Sequence, residues 1–165
     1  MCADTVVIRE AAEADLPRLL DLYFQLSQLG SRPEDAPRPV TAAHRGALQA
    51  LRADPHATCL VLERNGQVVG TLTMYILANL SHGARPFAVI ENVVTDATVR
   101  GRGFGRLLMA HAEELARRHG CYRLVLTSHR RRTDAHRFYE RLGFQRSHEG
   151  MTKYLDDEPG SPETG

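Results

Sequence analysis

A glycine-rich segment at residues 99–108, with the sequence VRGRGFGRLL, is the stretch of this chain best suited to holding an anion. Its three glycines alternate with arginines and a phenylalanine and then give way to an apolar, helix-like run. A helix N-terminus presents unpaired backbone N–H groups and about half a positive charge, and glycine lets an anion approach them. The segment therefore predicts a phosphate-binding site at the start of a helix.

Two common phosphate-binding patterns do not fit this segment. The nucleoside-triphosphate loop GxxxxGK[ST] needs a lysine, and the chain's single lysine, Lys153, lies elsewhere. The dinucleotide fingerprint GxGxxG fails because, counted from Gly101 and Gly103, its third glycine falls on Arg106. What remains is the pattern R-x-x-G-x-G at residues 100–105.

Hydrophobic periodicity and turn residues predict the elements that position this segment. In the first part of the chain they indicate a strand, an amphipathic helix, a proline-rich loop, a second helix and a hairpin turning at Asn65-Gly66, over 5–10, 14–29, 30–39, 41–53 and 57–77. In the second part they indicate a strand, a helix, a strand, a helix and two short closing strands, over 87–95, 105–119, 122–127, 133–142 and 144–155. This order predicts a mixed α/β fold of α+β type, whose central sheet has six to seven mostly antiparallel strands flanked by about four helices.

Composition limits the class of protein. The chain has 165 residues, of which 42% are hydrophobic, so we expect one domain over 1–155 and an acidic, disordered tail over 156–165. A formal net charge of +1 argues against a protein built to bind nucleic acid. The absence of a long apolar run predicts a protein of the cytoplasm that makes no membrane contact. The histidines and cysteines show no metal-ligand spacing, so no metal site is expected.

Two motifs together resemble one known family. The pattern at 100–105 follows the strand VIENVVTD and resembles the acetyl-CoA-binding signature of the GNAT superfamily of N-acetyltransferases. The segment DAHRFYERLGF, at 134–144, is similar to the late helix of that family, A-x-x-F-Y-x-x-x-G-F. The resemblance covers roughly 5–155 and is strongest to aminoalkylphosphonate and glucosamine-6-phosphate N-acetyltransferases, although not over the N-terminal third, which in this family helps to build the acceptor site. It implies a GNAT fold, acetyl-CoA as cosubstrate, a small-molecule amine as acceptor and a homodimer.

The resemblance also implies catalytic roles for three residues. The backbone N–H of Val94 would polarise the thioester carbonyl. Tyr139 would protonate the leaving thiolate, since a phenol of pKa about 10 is protonated at neutral pH and can donate to a thiolate whose reference pKa is about 8.5. Glu91 would take the amine proton, directly or through water. With a two-residue period, Glu91 is expected to share a face with Val93 and Thr95. The alternatives are a structural salt bridge for Glu91 and core packing for Tyr139.

The expected coenzyme contacts come from the strand end, the glycine loop with its arginines, and two later positions. They are Val93, Val94, Thr95, Arg100, Gly101, Arg102, Gly103, Phe104, Gly105, Arg106, Ser128 and Phe138. The acceptor pocket is expected to use Tyr23, Tyr75, His82 and Arg85. The sequence departs from the family at Arg132, where an asparagine is usual, which puts the customary side-chain contact there in doubt.

Other functions stay open at this stage. The basic run over 129–132 suits a solvated loop, the 3′-phosphate of coenzyme A or an acidic acceptor; it lacks interleaved aromatic residues for stacking on nucleic-acid bases. A non-catalytic coenzyme-A-binding module could keep the glycine loop, but it need not keep both Tyr139 and Glu91. Acetylation of a protein amine is a further alternative to a small acceptor.

Overall fold

The computed structural model describes residues 4–29 and 36–155, so most of the loop at 30–39 and the tail at 156–165 lie outside the described residues. The first half of the chain forms β1 (Val6–Glu10), α1 (Leu16–Ser27), α2 (Ala42–Ala53), β2 (Ala57–Arg64) and β3 (Gln67–Leu77). The second half forms β4 (Phe87–Thr95), α3 (Phe104–Arg118), β5 (Leu124–Leu126) and α4 (Thr133–Arg141). No helix in these ranges is long and apolar enough to cross a bilayer.

The strands form one sheet in the order β1-β2-β3-β4-β5. All neighbours pair antiparallel except β4 and β5, which are parallel. The predicted hairpin is present between β2 and β3, and its turn residues Asn65 and Gly66 have φ of 53° and 80°. Positive φ at both positions is what a two-residue turn joining twisted strands requires. The predicted mixed, mostly antiparallel fold class is therefore confirmed.

Two hydrophobic cores cover opposite faces of the sheet. Along β2, Leu60 and Leu62 enter the core under α3 and α4, whereas Cys59 and Val61 enter the core under α1 and α2. Both sets are buried, which explains why β2 is a nearly continuous apolar run instead of an alternating one. The sheet is thus covered by helices on both faces. A ligand can reach the strands only where this cover is incomplete.

The two closing strands expected over 144–155 do not form, so within the described residues the sheet has five strands and not six to seven. Residues 145–155 are exposed, and Met151 and Leu155 each keep 93% of their surface. Few apolar residues occur here, and Ser147 instead bonds locally to His148. One edge of β5 consequently borders a cavity of about 600 Å³ lined by residues such as Leu124, Leu126, Leu142 and Phe144.

Gly70 in β3 lets α3 pack closely against the sheet. A Cβ atom at this position would lie 3.0 Å from Cδ1 of Leu108 and 3.4 Å from the carbonyl oxygen of Val94. Leu108 is fully buried, so it has no free space into which to move. The glycine therefore sets the distance between β3 and the helix that follows the glycine loop.

We expect Gly70→Val to lower the free energy of unfolding by about 1–3 kcal/mol, because the added atoms overpack this contact. Urea denaturation measures the loss. Gly46→Ala is the matched control: Gly46 lies in α2 with no atom within 4 Å of its built Cβ, so the alanine is expected to stabilise by about 0.5–1 kcal/mol. Equal stability of wild type and Gly70→Val would contradict the close-packing interpretation.

Candidate active site

The glycine loop leads into an open helix N-terminus, as predicted. Gly101 and Gly103 have φ of 78° and 86°, a backbone region that side chains disfavour, and Gly103 is the N-cap of α3. No side chain caps this end of the helix. The first backbone N–H groups of α3 thus lack helical partners and follow a loop in which Gly101 and Gly103 carry no Cβ atom, an arrangement suited to a pyrophosphate.

Two residues of the predicted coenzyme set have packing contacts of their own. The side chain of Phe104 is buried in the core under α3, so it can offer the coenzyme only its backbone. Gly105 faces the neighbouring helix: a Cβ there would lie 3.2 Å from Cζ of Phe138. These contacts bring α4 against the first turn of α3.

The arginines of the loop are exposed, as a site for a charged ligand requires. Arg100, Arg102 and Arg106 all lie on the surface around the N-terminus of α3. Arg100 also donates from Nε to the carbonyl oxygen of Thr95, at 3.3 Å, which ties the loop to the end of β4. Their charges add to the partial positive charge of the helix end.

A wedge opens between β4 and β5. The two strands pair from Ala88 to Ile90 and from Leu124 to Leu126, so within the described part of the chain no strand lies beside the later residues of β4 on the β5 side. On its other side, β4 carries a bulge: Thr71 pairs with Val94 and Thr73 with Glu91, leaving two β4 residues opposite one. Asn92 lies in the bulge with φ of 55°. The part of β4 after Ile90 therefore lies next to the glycine loop without β5 beside it.

The bulge corrects the predicted orientation of Glu91. Glu91 pairs with Thr73. Burial raises the pKa of Tyr23 on α1, and a hydrogen bond with the Thr73 hydroxyl partly opposes this rise, so Thr73 and its neighbour Glu91 lie on the α1 face of the sheet. Val93 instead packs under α3, and the methyl group of Thr95 lies close to Gly105. Glu91 therefore does not share a face with Val93 and Thr95, because the extra residue at the bulge reverses the alternation.

Glu91 is half-buried, and burial raises the pKa of its carboxyl above the ordinary 4.5. Among the residues that the structure describes, no arginine forms a salt bridge with it, so the structural ion pair that the sequence left open is not observed there. A carboxylate whose pKa is raised by burial alone is suited to accepting a proton.

Tyr139 approaches the wedge from α4. It is 7% exposed, and its ring packs against Phe138 and Phe144, with centroid distances of 5.2 and 5.8 Å. Burial raises the pKa of the Tyr139 hydroxyl; Arg132 lowers this pKa, and Glu91 raises it. The phenol is therefore protonated at neutral pH, and it lies within electrostatic range of the carboxylate on β4.

A strip of polar side chains extends from Glu91 across the α1 face of β3. Thr71 and Thr73 are buried there, and the hydroxyl of Tyr23 lies 4.0 Å from Sγ of Cys59. Burial, Cys59 and Glu91 each raise the pKa of Tyr75. Two of the four expected acceptor residues, Tyr23 and Tyr75, thus lie along this strip with Glu91.

His82 and Arg85, the other two expected acceptor residues, contact the segment that follows α3. Arg85 donates to the carbonyl oxygens of Gly120 and Cys121, just past the C-terminus of α3, and His82 stacks on Tyr122 at 4.3 Å between ring centroids. A helix of 15 residues is about 22 Å long, so they lie at the far end of α3 from the glycine loop. Because they precede Phe87, they lie at the N-terminal end of β4, whereas the glycine loop follows its C-terminal end.

Ser128 follows β5 at the other side of the wedge. Its Oγ atom is buried, and no described residue forms a hydrogen bond with it. A buried hydroxyl without a partner is costly, so its position beside the wedge fits a polar group of a bound molecule.

Sequence reasoning missed the residues that hold this geometry. Asn92 makes the bulge, and Asp96, buried at the end of β4, accepts hydrogen bonds from α1 and from the turn before the glycine loop. An asparagine inside a strand pattern is a signal for positive φ that was available. The contacts of Asp96 with α1 span more than 70 residues of sequence, and no local signal reveals them.

The family model described as the Acetyltransferase (GNAT) family matches residues 17–144, which include the wedge, the glycine loop and Tyr139. The chain belongs to the GNAT family. It is therefore an acetyltransferase by family, and enzymes of this family use acetyl-CoA as cosubstrate.

Individual GNAT relatives agree with this assignment. The chain is 37% identical to an aminoalkylphosphonate N-acetyltransferase of Salmonella typhimurium over 113 residues, which cover 68% of this chain and 73% of that protein. It is 33% identical to a glucosamine 6-phosphate N-acetyltransferase of Trypanosoma brucei brucei over 129 residues, which cover 78% and 85%. A solved structure of a putative acetyltransferase from Agrobacterium tumefaciens superposes with a TM-score of 0.80 at 38% identity, covering 90% of this chain and 99% of that one.

We expect Glu91→Gln to stabilise this GNAT protein at pH 7. Because folding raises the pKa of Glu91, its charged form lowers the free energy of unfolding. This loss is absent below about pH 4, where the carboxyl is protonated in both states. It grows as the pH rises through the folded-state pKa. Thermal unfolding should therefore show a higher midpoint for the variant at pH 7 and no difference at acidic pH.

Glu149→Gln, at an exposed position, is the control and should show no such pH-dependent gain. A Glu91→Gln variant less stable than the wild type at pH 7 would mean that the carboxylate has a stabilising partner.

Proposed function

We propose that this chain transfers the acetyl group of acetyl-CoA to the primary amine of a small molecule, by direct attack within a ternary complex. The observation that carries the proposal is the wedge between β4 and β5, with the open N-terminus of α3 near it and Glu91 and Tyr139 approaching it from opposite faces. The acetyltransferase relatives support the reaction type.

The residues around the wedge fit the coenzyme. The backbone N–H groups at the start of α3 and the exposed Arg100, Arg102 and Arg106 would hold its phosphates. The edge of Val93 to Thr95 that faces away from β3 and the buried Oγ of Ser128 would hydrogen-bond the pantetheine arm. The coenzyme would thus add to the free edge of β4 much as another strand does.

The transfer then needs three groups on this chain. Glu91 accepts a proton from the amine, directly or through water, and the neutral nitrogen attacks the thioester carbon. The N–H of Val94 donates to the carbonyl oxygen as negative charge develops there. When the carbon–sulfur bond breaks, Tyr139 gives its proton to the thiolate, and the nitrogen, cationic after the attack, loses its extra proton through water to the tyrosinate. The products are the amide and free coenzyme A, and Glu91 releases the first proton to solvent.

The acceptor would lie on the α1 face, along the strip formed by Tyr23, Thr73, Tyr75 and Glu91. Hydroxyl groups along the strip can orient a polar molecule, and the carboxylate favours an amine at its end. The relatives act on small amines, an aminoalkylphosphonate and an amino sugar phosphate, so we propose an acceptor of that size.

Tyr139→Phe is expected to lower kcat about 100-fold and to leave the affinity for acetyl-CoA within about twofold of wild type, because it removes only the proton donor. Steady-state kinetics and calorimetric titration with acetyl-CoA measure the two effects. Tyr122→Phe, at the far end of α3, is the matched control and should retain wild-type kcat. A wild-type rate for Tyr139→Phe would remove the tyrosine from the mechanism.

Release of free thiol from acetyl-CoA across a panel of amines tests the function itself. The panel holds an aminoalkylphosphonate, glucosamine 6-phosphate, a polyamine, an amino acid and a peptide with a free N-terminus. We expect thiol release in step with the loss of one small amine. Binding of acetyl-CoA without thiol release for any amine would favour the non-catalytic module, and release with the peptide alone would favour a protein acceptor.

We also propose that the protein acts in the cytoplasm as a homodimer, on the ground of its resemblance to the family. Sedimentation velocity should then give twice the mass of one chain.

A further inference from the structure

Asp96 is a buried carboxylate at the junction of β4 with the glycine loop. It is 6% exposed, and its backbone N–H donates to the carbonyl oxygen of Val69 at 2.8 Å. Its Oδ1 accepts from the backbone N–H of Thr98 at 2.8 Å and from the Thr98 hydroxyl. Asp96 thus starts the short 3₁₀ turn Ala97–Val99, which is followed directly by the glycine loop.

Helix α1 contacts the other oxygen of this carboxylate through two side chains. Arg18 donates to Oδ2 of Asp96 at 2.5 Å, and Gln25 donates from Nε2 to the same oxygen at 3.0 Å. Arg18 also donates from Nε to the carbonyl oxygen of Val68 on β3, at 2.9 Å. The two side chains lie about two helical turns apart, so they fix both the position and the rotation of α1.

Gln25 has a second contact that extends this connection to the loop. Its Oε1 accepts from the backbone N–H of Ala97 at 2.9 Å, so one amide group joins α1 to two successive residues. Burial raises the pKa of Asp96, but hydrogen bonds from Thr98, Gln25 and Arg18 outweigh burial and hold this pKa well below its usual range. The carboxylate is therefore charged at any pH at which the protein is folded and active.

We propose that Asp96, held by Arg18 and Gln25, is a positioning residue that fixes the glycine loop against α1, so that the affinity for acetyl-CoA depends on this contact. The inference rests on the proposed function, because it concerns the loop assigned to the coenzyme. Asp96 itself touches no reacting atom. It acts by setting the turn whose last residue precedes Arg100, and it does so from the helix that also carries Tyr23 of the acceptor strip.

The chain offers a matched control at the N-terminus of α1. Asp15 is 8% exposed and accepts from Arg9 at 2.7 and 2.9 Å and from the backbone N–H of Ala12 at 2.7 Å. It is therefore a buried, arginine-paired carboxylate like Asp96, but its partners lie on β1 and the following turn, away from the glycine loop. Loss of either ion pair should destabilise the fold, but only loss of the Asp96 pair should disturb the glycine loop.

The experiment measures acetyl-CoA affinity by isothermal titration calorimetry, and the midpoint of thermal unfolding, for the wild type and four variants of the full chain. We expect Asp96→Asn to weaken acetyl-CoA binding about tenfold and Gln25→Ala about fivefold, because the loop loses its fixed geometry. Asp15→Asn and Gln49→Ala, the latter at an exposed position of α2, should stay within about twofold of wild type.

Equal weakening of binding by Asp96→Asn and Asp15→Asn, in proportion to their loss of stability, would overturn the inference. If Asp96→Asn does not fold, Gln25→Ala decides: weaker binding at a nearly unchanged midpoint supports the inference, and unchanged binding overturns it. If the wild type itself does not bind acetyl-CoA, the proposed function fails, and the inference fails with it. The wild-type titration therefore separates the two failures.

Discussion

The interruption of β4 is the constraint on which the rest of the site depends. A strand inside a sheet normally satisfies its backbone groups on both edges, but beyond Ile90 this strand loses β5 on one side and is bulged on the other. Unpaired backbone groups are costly where water is excluded, so such a stretch persists only if something else can pair with it. In the function proposed above, that partner is the coenzyme. The bulge in this stretch also places Glu91 on the opposite face of the sheet from Val93 and Thr95.

The helix after β4 supplies the charge that the wedge needs. α3 begins at the glycine loop and packs against β3 at Gly70, where no side chain intervenes. Close packing keeps the first turn of the helix, with its unpaired N–H groups, next to the end of β4. The position of this helix N-terminus, where we propose that the phosphates bind, is thus set by a small residue in another strand as well as by the glycines of the loop.

The carboxylates of Glu91 and Asp96 lie close together in sequence, but their pKa values shift in opposite directions because their surroundings differ. Glu91 is half-buried with no described ion-pair partner, and burial raises its pKa. Asp96 is more deeply buried, yet its hydrogen bonds lower its pKa. The first is suited to accept a proton, and the second is suited to hold neighbouring elements as a permanent charge. Residue type alone does not distinguish these roles; the number of donors around each carboxylate does.

The sequence by itself determined the glycine loop, the hairpin at Asn65-Gly66, the family and the approximate bounds of every helix and of the first four strands. Each of these depends on local rules: helical and strand periodicity, positive φ at turns, and the exposure of N–H groups at a helix start. Only the tertiary structure decided the face of Glu91, the absence of closing strands among the described residues, the contacts of His82 and Arg85 just past the C-terminus of α3, and the contact of Asp96 with α1. These depend on a bulge and on contacts between residues far apart in the chain, and neither leaves a periodic signal in the sequence.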